Sequence, residues 1–309
     1  MTSRVPALFR FVGHLCRLLL SGVFLLAGLL KALDPEGFTH EIIQYGIVAG
    51  AMARLLAYVL IPVEVVAGIA LLINFRPVLS FSVAALLLLV FIGAVGFAIV
   101  TDQPLTECGC FGRNTPRTPR QTLVEDVGFL AAALVGMAAL RGGPRPDIAG
   151  GKTGQWKTPV LAASALASGA FVFAAPGLPI DDMATALRPG VHWADLNVAL
   201  AEVDLEKDAH LVVLMGMRDT ATIAAVDRLN KLAASGRVPV VGLYEDDATA
   251  YNEFFWTRGP AFPLYHAAGS DLGRLHRRLP RLFLLRDGEV RATWNEVPTE
   301  EQIAKSLEG

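Results

Sequence analysis

The chain has 309 residues, of which 53% are hydrophobic, and its formal net charge is −2. This composition is too apolar for an ordinary soluble protein, and a chain without a basic excess is not expected to bind nucleic acid. Apolar residues dominate up to about Leu178 and then give way to an ordinary globular composition, so we predict a membrane region followed by a soluble domain of roughly 130 residues, a usual domain size.

Five segments are long and apolar enough to span a bilayer, which takes about 20 residues in a helix. The third and fifth carry no charge, and the second carries Glu64 near its middle. The first has Arg17 and Lys31 near its ends, where long basic side chains can snorkel to the interface. We interpret it as a retained span because it is long and no small-x-small cleavage site follows it. The segments are 14–33, 55–73, the stretch between Pro77 and Asp102, 122–140 and 158–178.

Between the third and fourth spans, Cys108, Gly109 and Cys110 lie in a short polar stretch. A disulfide between cysteines one residue apart closes a tight ring, and such a strained bond is easily reduced. The glycine supplies the backbone freedom that the bend needs. These features favour redox exchange, although a structural clip or two idle thiols are alternatives. A Cu(I) site would suit soft thiolates, but no nearby Met or His completes one.

Glu64 is a candidate functional residue because an ionisable group at bilayer depth is usually functional. With Lys31 and Asp126 it defines a candidate intramembrane polar site. In the alternative interpretation, Glu64 pairs with Lys31 or Arg17 and only holds the bundle together. Three polar residues near the ends of spans can also be interpreted as ordinary residues of the membrane interface without a functional role: His40, Glu125 and Asp126. Cys16 is interpreted as a small apolar residue of its helix.

The basic residues predict the orientation of the chain. With five spans, the basic residues of the N-terminus, the second loop and the fourth loop all fall on one side, which is then cytoplasmic, although Arg113, Arg117 and Arg120 of the cysteine loop fall on the other. The residues on the cytoplasmic side are Arg4, Arg10, Arg76, Arg141, Arg145, Lys152 and Lys157. The first loop, 34–50, contains Asp34, Glu36 and Glu41 without a Lys or Arg, and it is placed outside. The cysteine loop and the C-terminal domain fall on the same side. We therefore expect a protein of the bacterial inner membrane with a cytoplasmic N-terminus and a periplasmic C-terminal domain, where a disulfide can persist.

The helical region resembles two related families of membrane proteins. Residues 17–20, 27–31 and 34–35 look like the opening helix of the DoxX family, and Pro62 through Gly68 looks like its second helix. Residues 108–112 are similar to the loop of MauE, the methylamine-utilisation membrane protein related to DoxX. The similarity covers about residues 10 to 140. Because MauE proteins are associated with maturation of a periplasmic, disulfide-rich dehydrogenase subunit, the resemblance implies thiol redox work near the membrane.

The soluble region resembles thioredoxin. Residues 279–290 look like its cis-proline strand and the hairpin that follows, with Asp287 and Gly288 as the turn. A strand at 210–215, a helix at 220–234 and a strand at 238–244 give the β-α-β order of such a fold. Residues 216–222 replace the dithiol motif, and no cysteine follows Cys110. This domain therefore cannot run dithiol chemistry alone, and we expect it to bind a partner in a groove beside Pro280.

The predicted architecture has three parts. Residues 1–140 form a four-helix DoxX/MauE-like membrane bundle, residues 141–180 a cytoplasmic linker and fifth span, and residues 181–309 a periplasmic α/β thioredoxin-like domain. Our first functional hypothesis is a thiol-disulfide oxidoreductase that uses Cys108 and Cys110 to support disulfide formation in a periplasmic redox enzyme. Its partners would be a client or a thiol carrier, with a quinone in the bundle as another electron acceptor. The alternative is a non-catalytic, membrane-anchored assembly factor or chaperone that binds a client through the thioredoxin-like domain.

Overall fold

The computed structural model describes residues 7–103, 118–141, 155–198, 200, 203–267 and 272–308. Cys108 and Cys110, which the sequence singles out, lie outside the described residues. The chain forms two compact units, Met1–Pro179 and Ile180–Gly309, and each is described by itself.

Within its described residues, the first unit contains six α-helices. Five helical segments are long and apolar enough to cross a membrane, and large side chains such as Leu86 and Leu166 are exposed on their outer faces, as in a bundle surrounded by lipid. The five predicted spans are confirmed, and the chain is a multi-pass protein of a lipid bilayer. The helices are α1 (Ala7–Leu33), α2 (Pro35–Gln44), α3 (Gly50–Leu72), α4 (Pro77–Val100), α5 (Pro119–Leu140) and α6 (Lys157–Ala174).

Helix α2 occupies part of the segment that the sequence analysis treated as a loop. Its start is fixed by Asp34, whose side chain accepts a hydrogen bond from the Gly37 N–H at 3.0 Å, and by Pro35 in the first turn. An acidic N-cap followed by proline is a favourable helix start. Phe38 and Ile42 are buried in a cluster with side chains of α3, so this short helix covers one end of the bundle.

The second unit is a mixed α/β domain with a five-stranded sheet in the order β3-β2-β1-β4-β5. β1 and β2 are parallel, as are β2 and β3, whereas β4 runs antiparallel to both β1 and β5. The strands are β1 (Ala209–Leu214), β2 (Val240–Tyr244), β3 (Leu264–His266), β4 (Arg281–Arg286) and β5 (Glu289–Trp294). The helices are α7 (Asp181–Ala184), α8 (Thr220–Ser235), α9 (Ala248–Arg258) and α10 (Glu300–Glu308).

Side chains alternate between the two faces of the sheet, as the period of a strand requires. Leu211 and Val213 join a cluster with residues of α8, α9 and α10. Val212 and Leu214 join a cluster on the opposite face, which the irregular segment before β1 and the short 3-10 helix Leu272–Leu275 cover. The core therefore lies on both sides of the sheet. Helices α8, α9 and α10 pack on the side of Leu211 and Val213.

Several local predictions for this domain are confirmed. The predicted strands and helix correspond to β1, α8 and β2. Asp287 and Gly288 join β4 to β5 with φ of 52° and 74°, the positive values that a tight hairpin turn requires. The Leu279–Pro280 bond is cis. The predicted fold class, a membrane helical bundle followed by an α/β domain, is confirmed, and the thioredoxin-like identity of the domain stays a prediction.

Candidate functional site

The loop that carries Cys108 and Cys110 joins α4 to α5, which pack against each other. α4 ends at Val100 and α5 begins at Pro119. The start of α5 is fixed by a capping box, in which Thr118 and Gln121 exchange side-chain to backbone hydrogen bonds. We call this end of the bundle the loop end. The opposite end, where α4 begins and α5 ends, is called the basic end because Arg10, Arg76, Arg141 and Lys157 lie there.

A buried ion pair joins α1 to α3. Lys31 Nζ donates a hydrogen bond to Glu64 Oε1 at 2.5 Å, and the two side chains are only 3% and 1% exposed. Lys31 Nζ also lies 4.6 Å from the centroid of the Phe38 ring and 4.8 Å from that of Phe91, which is within the range of cation–π contacts. Of the two partners considered for Glu64, the structure selects Lys31.

Close packing of α1 on α3 brings these two side chains together. A Cβ atom at Gly28 would lie 2.9 Å from Val65 Cγ2 and 3.3 Å from Glu64 Cβ, and one at Gly68 would lie 2.8 Å from Leu25 Cγ. Ser21 Oγ donates to the Gly68 carbonyl at 2.9 Å. The glycines of the family-like motifs therefore stand about one helical turn from the charges and allow the helices to approach.

Arg17, the other candidate partner of Glu64, binds backbone carbonyl groups instead. Its Nη1 donates to the carbonyl oxygens of Leu71 at 2.6 Å and Leu72 at 2.7 Å. The last carbonyl groups of a helix have no partner within the helix, and a basic side chain there also suits the helix dipole. Arg17 thus satisfies the C-terminal end of α3 from α1.

Helix α5 contributes Asp126 to the same polar site. Asp126 and Thr122 are 6% and 2% exposed and stand four residues apart, on one face of the helix. Asp126 interacts electrostatically with Lys31, most strongly among its charged neighbours, and with Glu64. Within the described residues, Glu64 Oε2, Asp126 Oδ2 and Thr122 Oγ1 have no hydrogen-bond partner.

We call Lys31, Glu64, Thr122 and Asp126 the polar cluster. It holds two carboxyl groups and one ammonium group away from solvent, in surroundings where an uncompensated charge is costly. An unpartnered carboxyl oxygen there is a place for a proton or for a hydrogen-bond donor. The ion pair joins α1 to α3 at this point, and Asp126 of α5 interacts with both of its charges electrostatically. Helix α5 follows the cysteine loop in the sequence.

The sequence analysis missed part of this site. Thr122, Phe38 and Phe91 were not candidates, although the spacing of Thr122 and Asp126 is a readable signal for a shared helix face. Asp126 and Glu125 were grouped as interfacial residues in one interpretation, but Asp126 is buried whereas Glu125 is half-buried. His40 is exposed on α2. No group of three His, Cys, Asp or Glu side chains is placed to hold a metal within the described residues.

In the α/β domain, the segment that replaces the dithiol motif follows β1. The Met217 N–H donates to Asp246 Oδ2 at 2.9 Å, and the α8 N-cap Asp219 accepts a hydrogen bond from the Thr222 N–H at 2.7 Å. Leu279 abuts this segment, because a Cβ atom at Gly216 would lie 2.9 Å from Leu279 Cδ1. Pro280 itself is buried, and the groove predicted beside it stays a prediction.

A second buried ionic network, which the sequence analysis did not detect, follows Pro280. Arg281 is 2% exposed, donates to Asn295 Oδ1 at 2.6 Å and forms an ion pair with Asp182. Asn295 Nδ2 donates to Asp181 Oδ2 at 2.8 Å, and Thr293 Oγ1 donates to Asp182 Oδ1 at 2.6 Å. These contacts fasten α7, the start of the domain, to β4 and to the end of β5.

Comparison with known proteins finds a family match for the helical region. No curated protein matches the chain. Residues 9–139 match the model of the family described as methylamine utilisation protein MauE, close to the 10–140 expected from the motifs. The matched region spans α1 to α5, the polar cluster and the cysteine loop, whereas α6 and the α/β domain follow it. Over residues 9–139, less than half of the chain, the helical region is therefore similar to the MauE family.

Proposed function

We propose that the protein is a membrane thiol–disulfide oxidoreductase that supports disulfide formation in a periplasmic redox enzyme. The observation that carries the proposal is the place of Cys108 and Cys110 in the sequence, between α4 and α5, in a region that matches the MauE family model. Asp126 follows the start of α5 by seven residues, or about 10 Å of helix. Helix α5, which follows the cysteine loop in the sequence, thus begins close to the polar cluster.

The proposed step is a thiol–disulfide exchange. A client thiolate attacks the Cys108–Cys110 disulfide and forms a mixed disulfide, with one thiol of the pair released. A second client thiolate then attacks the client sulfur of that bond, so that the client gains a disulfide and Cys108 and Cys110 become a dithiol. An oxidised thiol carrier or a quinone takes up the two electrons and two protons when the pair is reoxidised.

The polar cluster is proposed to position the loop-bearing helix. It joins α5 to α1 and α3 by charges that lipid cannot solvate, so it fixes the start of α5 relative to its neighbours. Its buried carboxyl oxygens also offer a site that can hold a proton. This role combines the two interpretations of Glu64, because an ion pair that holds the bundle together also sets the geometry of the loop.

The proposed orientation rests on five spans and on the charges at their ends. Arg17 reaches the carbonyl oxygens at the end of α3, and a Cβ atom at Gly13 would lie 2.7 Å from Ala139 Cβ of α5. These contacts bring the start of α1 to the basic end. The positive-inside rule favours the cytoplasm for that end, which supports a periplasmic cysteine loop and α/β domain.

A second function, that of a non-catalytic assembly factor, is favoured by the α/β domain. In place of a dithiol, the Met217 N–H donates to Asp246 Oδ2, and no cysteine follows Cys110, so this domain cannot exchange disulfides by itself. In this second proposal its role is to hold the client. Client maturation in cells that carry Cys108→Ser/Cys110→Ser distinguishes the two functions. The oxidoreductase proposal predicts loss of disulfide formation in the client, whereas a client that still matures would favour the assembly factor.

A further inference from the structure

A cavity of about 340 Å³ lies between α3, α4 and α6, within the range of about 300–1,000 Å³ that is usual for ligand sites. It is close to the basic end, since it is lined by residues near the end of α3 and near the starts of α4 and α6. Its walls are apolar, and they include Ala67, Ala70, Phe75, Leu79, Leu161 and Ala165. Such a surface is suited to a hydrocarbon chain.

Two cations are close in the chain to residues that line this cavity. Arg76 follows Phe75 directly and is exposed at the start of α4. Lys157 begins α6, one turn before Leu161, and its Nζ donates to the Asn74 carbonyl at 3.1 Å. This contact brings Lys157 to the turn that holds Arg76. Neither residue takes part in the ion pairs of the described part of the chain.

We propose that the cavity and these two cations form a binding site for an anionic glycerophospholipid. One acyl chain lies in the cavity, and the phosphate group lies against Arg76 and Lys157. The combination of an apolar groove with basic residues at its interfacial end matches the two halves of such a lipid. It also suits the side of the bundle that the basic residues assign to the cytoplasmic leaflet.

A quinone fits the same cavity less well. Among the lining residues, Ser80 alone has a polar side chain, and its Oγ donates to the Phe75 carbonyl. A quinone carbonyl would therefore find no side-chain donor in these described walls. The cavity is also remote from the end of α4, which precedes the cysteine loop in the sequence, because Val83 precedes Val100 by seventeen residues, or about 25 Å of helix.

The site is tested by native mass spectrometry of the full-length protein in detergent, titrated separately with phosphatidylglycerol, phosphatidylcholine and a ubiquinone. We expect tight binding of phosphatidylglycerol that Arg76→Gln/Lys157→Gln weakens by about 30-fold, given the usual contribution of each basic residue near an anionic lipid. Arg10→Gln/Arg141→Gln removes two cations from the same end of the bundle and should leave binding within about threefold of the parent.

Filling the cavity gives a second, independent measurement. Ala165→Phe should reduce phosphatidylglycerol binding, whereas Leu166→Phe, on the 75% exposed neighbouring position, should not. The proposal is overturned if phosphatidylcholine binds equally well, or if neither the double cation variant nor Ala165→Phe alters phosphatidylglycerol binding. Ubiquinone binding that Ala165→Phe abolishes, without a matching effect on the lipid, would also overturn it.

Discussion

Removing one partner of the Lys31–Glu64 ion pair should destabilise the helical bundle by about 3–5 kcal/mol. The side chains are 3% and 1% exposed and their charged atoms are 2.5 Å apart, so Lys31→Met or Glu64→Leu leaves a buried charge without its counter-charge. The double variant should recover most of this loss, because both charges of the pair are gone; the part that is not recovered reflects buried Asp126, which has then lost the charge of Lys31. We therefore expect a coupling free energy of about 2 kcal/mol or more between the two sites.

Unfolding can be followed through Cys16, one of three cysteines in the chain, in a Cys108→Ser/Cys110→Ser background. Cys16 is half-buried on α1 beside Gly136 of α5, so its alkylation in mixed micelles of increasing denaturing detergent reports separation of these helices. As a matched control, Arg54→Gln removes an ion pair whose arginine side chain is 65% exposed and should cost at most about 1 kcal/mol.

Two results would refute this reasoning. One is a loss below about 1 kcal/mol for each single variant, the value of an exposed pair. The other is a double variant whose loss equals the sum of the single losses, since independent sites add. A second measurement uses the double variant with Cys108 and Cys110 restored. If this protein is stable but its Cys108–Cys110 pair no longer equilibrates with a thiol redox buffer, the polar cluster also positions the loop.

Three further outcomes are expected. Gly28→Ala should lower the stability of the helical bundle by about 1–3 kcal/mol through overpacking. Gly22→Ala on the same helix, with open space at its Cβ position, should be neutral or slightly stabilising. Equal effects of the two variants in detergent unfolding would contradict the close approach of α1 and α3. The Asp247 pKa is held below its usual range, chiefly by the Ala250 backbone N–H. The ionised Asp247 therefore stabilises the folded domain above the usual aspartate pKa, and this stabilisation is lost as the pH falls through the lowered pKa. An NMR titration of the carboxyl that gave an ordinary or raised pKa would disagree. A fragment that begins at Asp181 should fold without the membrane region and show mixed α/β circular dichroism, and a disordered spectrum would be against an independent domain.

The sequence predicts the spans because continuous apolar length is a local signal. It predicts β1, α8 and the turn at Asp287 for the same reason, since alternation and turn chemistry are local. Helix α2 was treated as a loop because the segment is short and mixed in polarity, although its Asp34–Pro35 start could have indicated a helix.

The partner choice within the polar cluster could not be predicted from sequence alone. Glu64 had two basic candidates, and only the packing at Gly28 and Gly68 brings Lys31 to it while Arg17 reaches carbonyl oxygens instead. The burial of Asp126 likewise depends on which face of α5 meets α1. The network around Arg281 joins residues about a hundred positions apart, and such pairing leaves no local trace.

The central claim is thiol exchange at Cys108 and Cys110, and trapping the mixed disulfide tests it most directly. In cells that carry Cys110→Ser or Cys108→Ser, the resolving thiol is missing, so the intermediate with the client or carrier cannot be released. Non-reducing electrophoresis should then show an adduct that disappears on reduction, and Cys16→Ser should leave the pattern of either variant unchanged. Absence of an adduct from both single variants, together with a mature client in the double variant, would contradict the account.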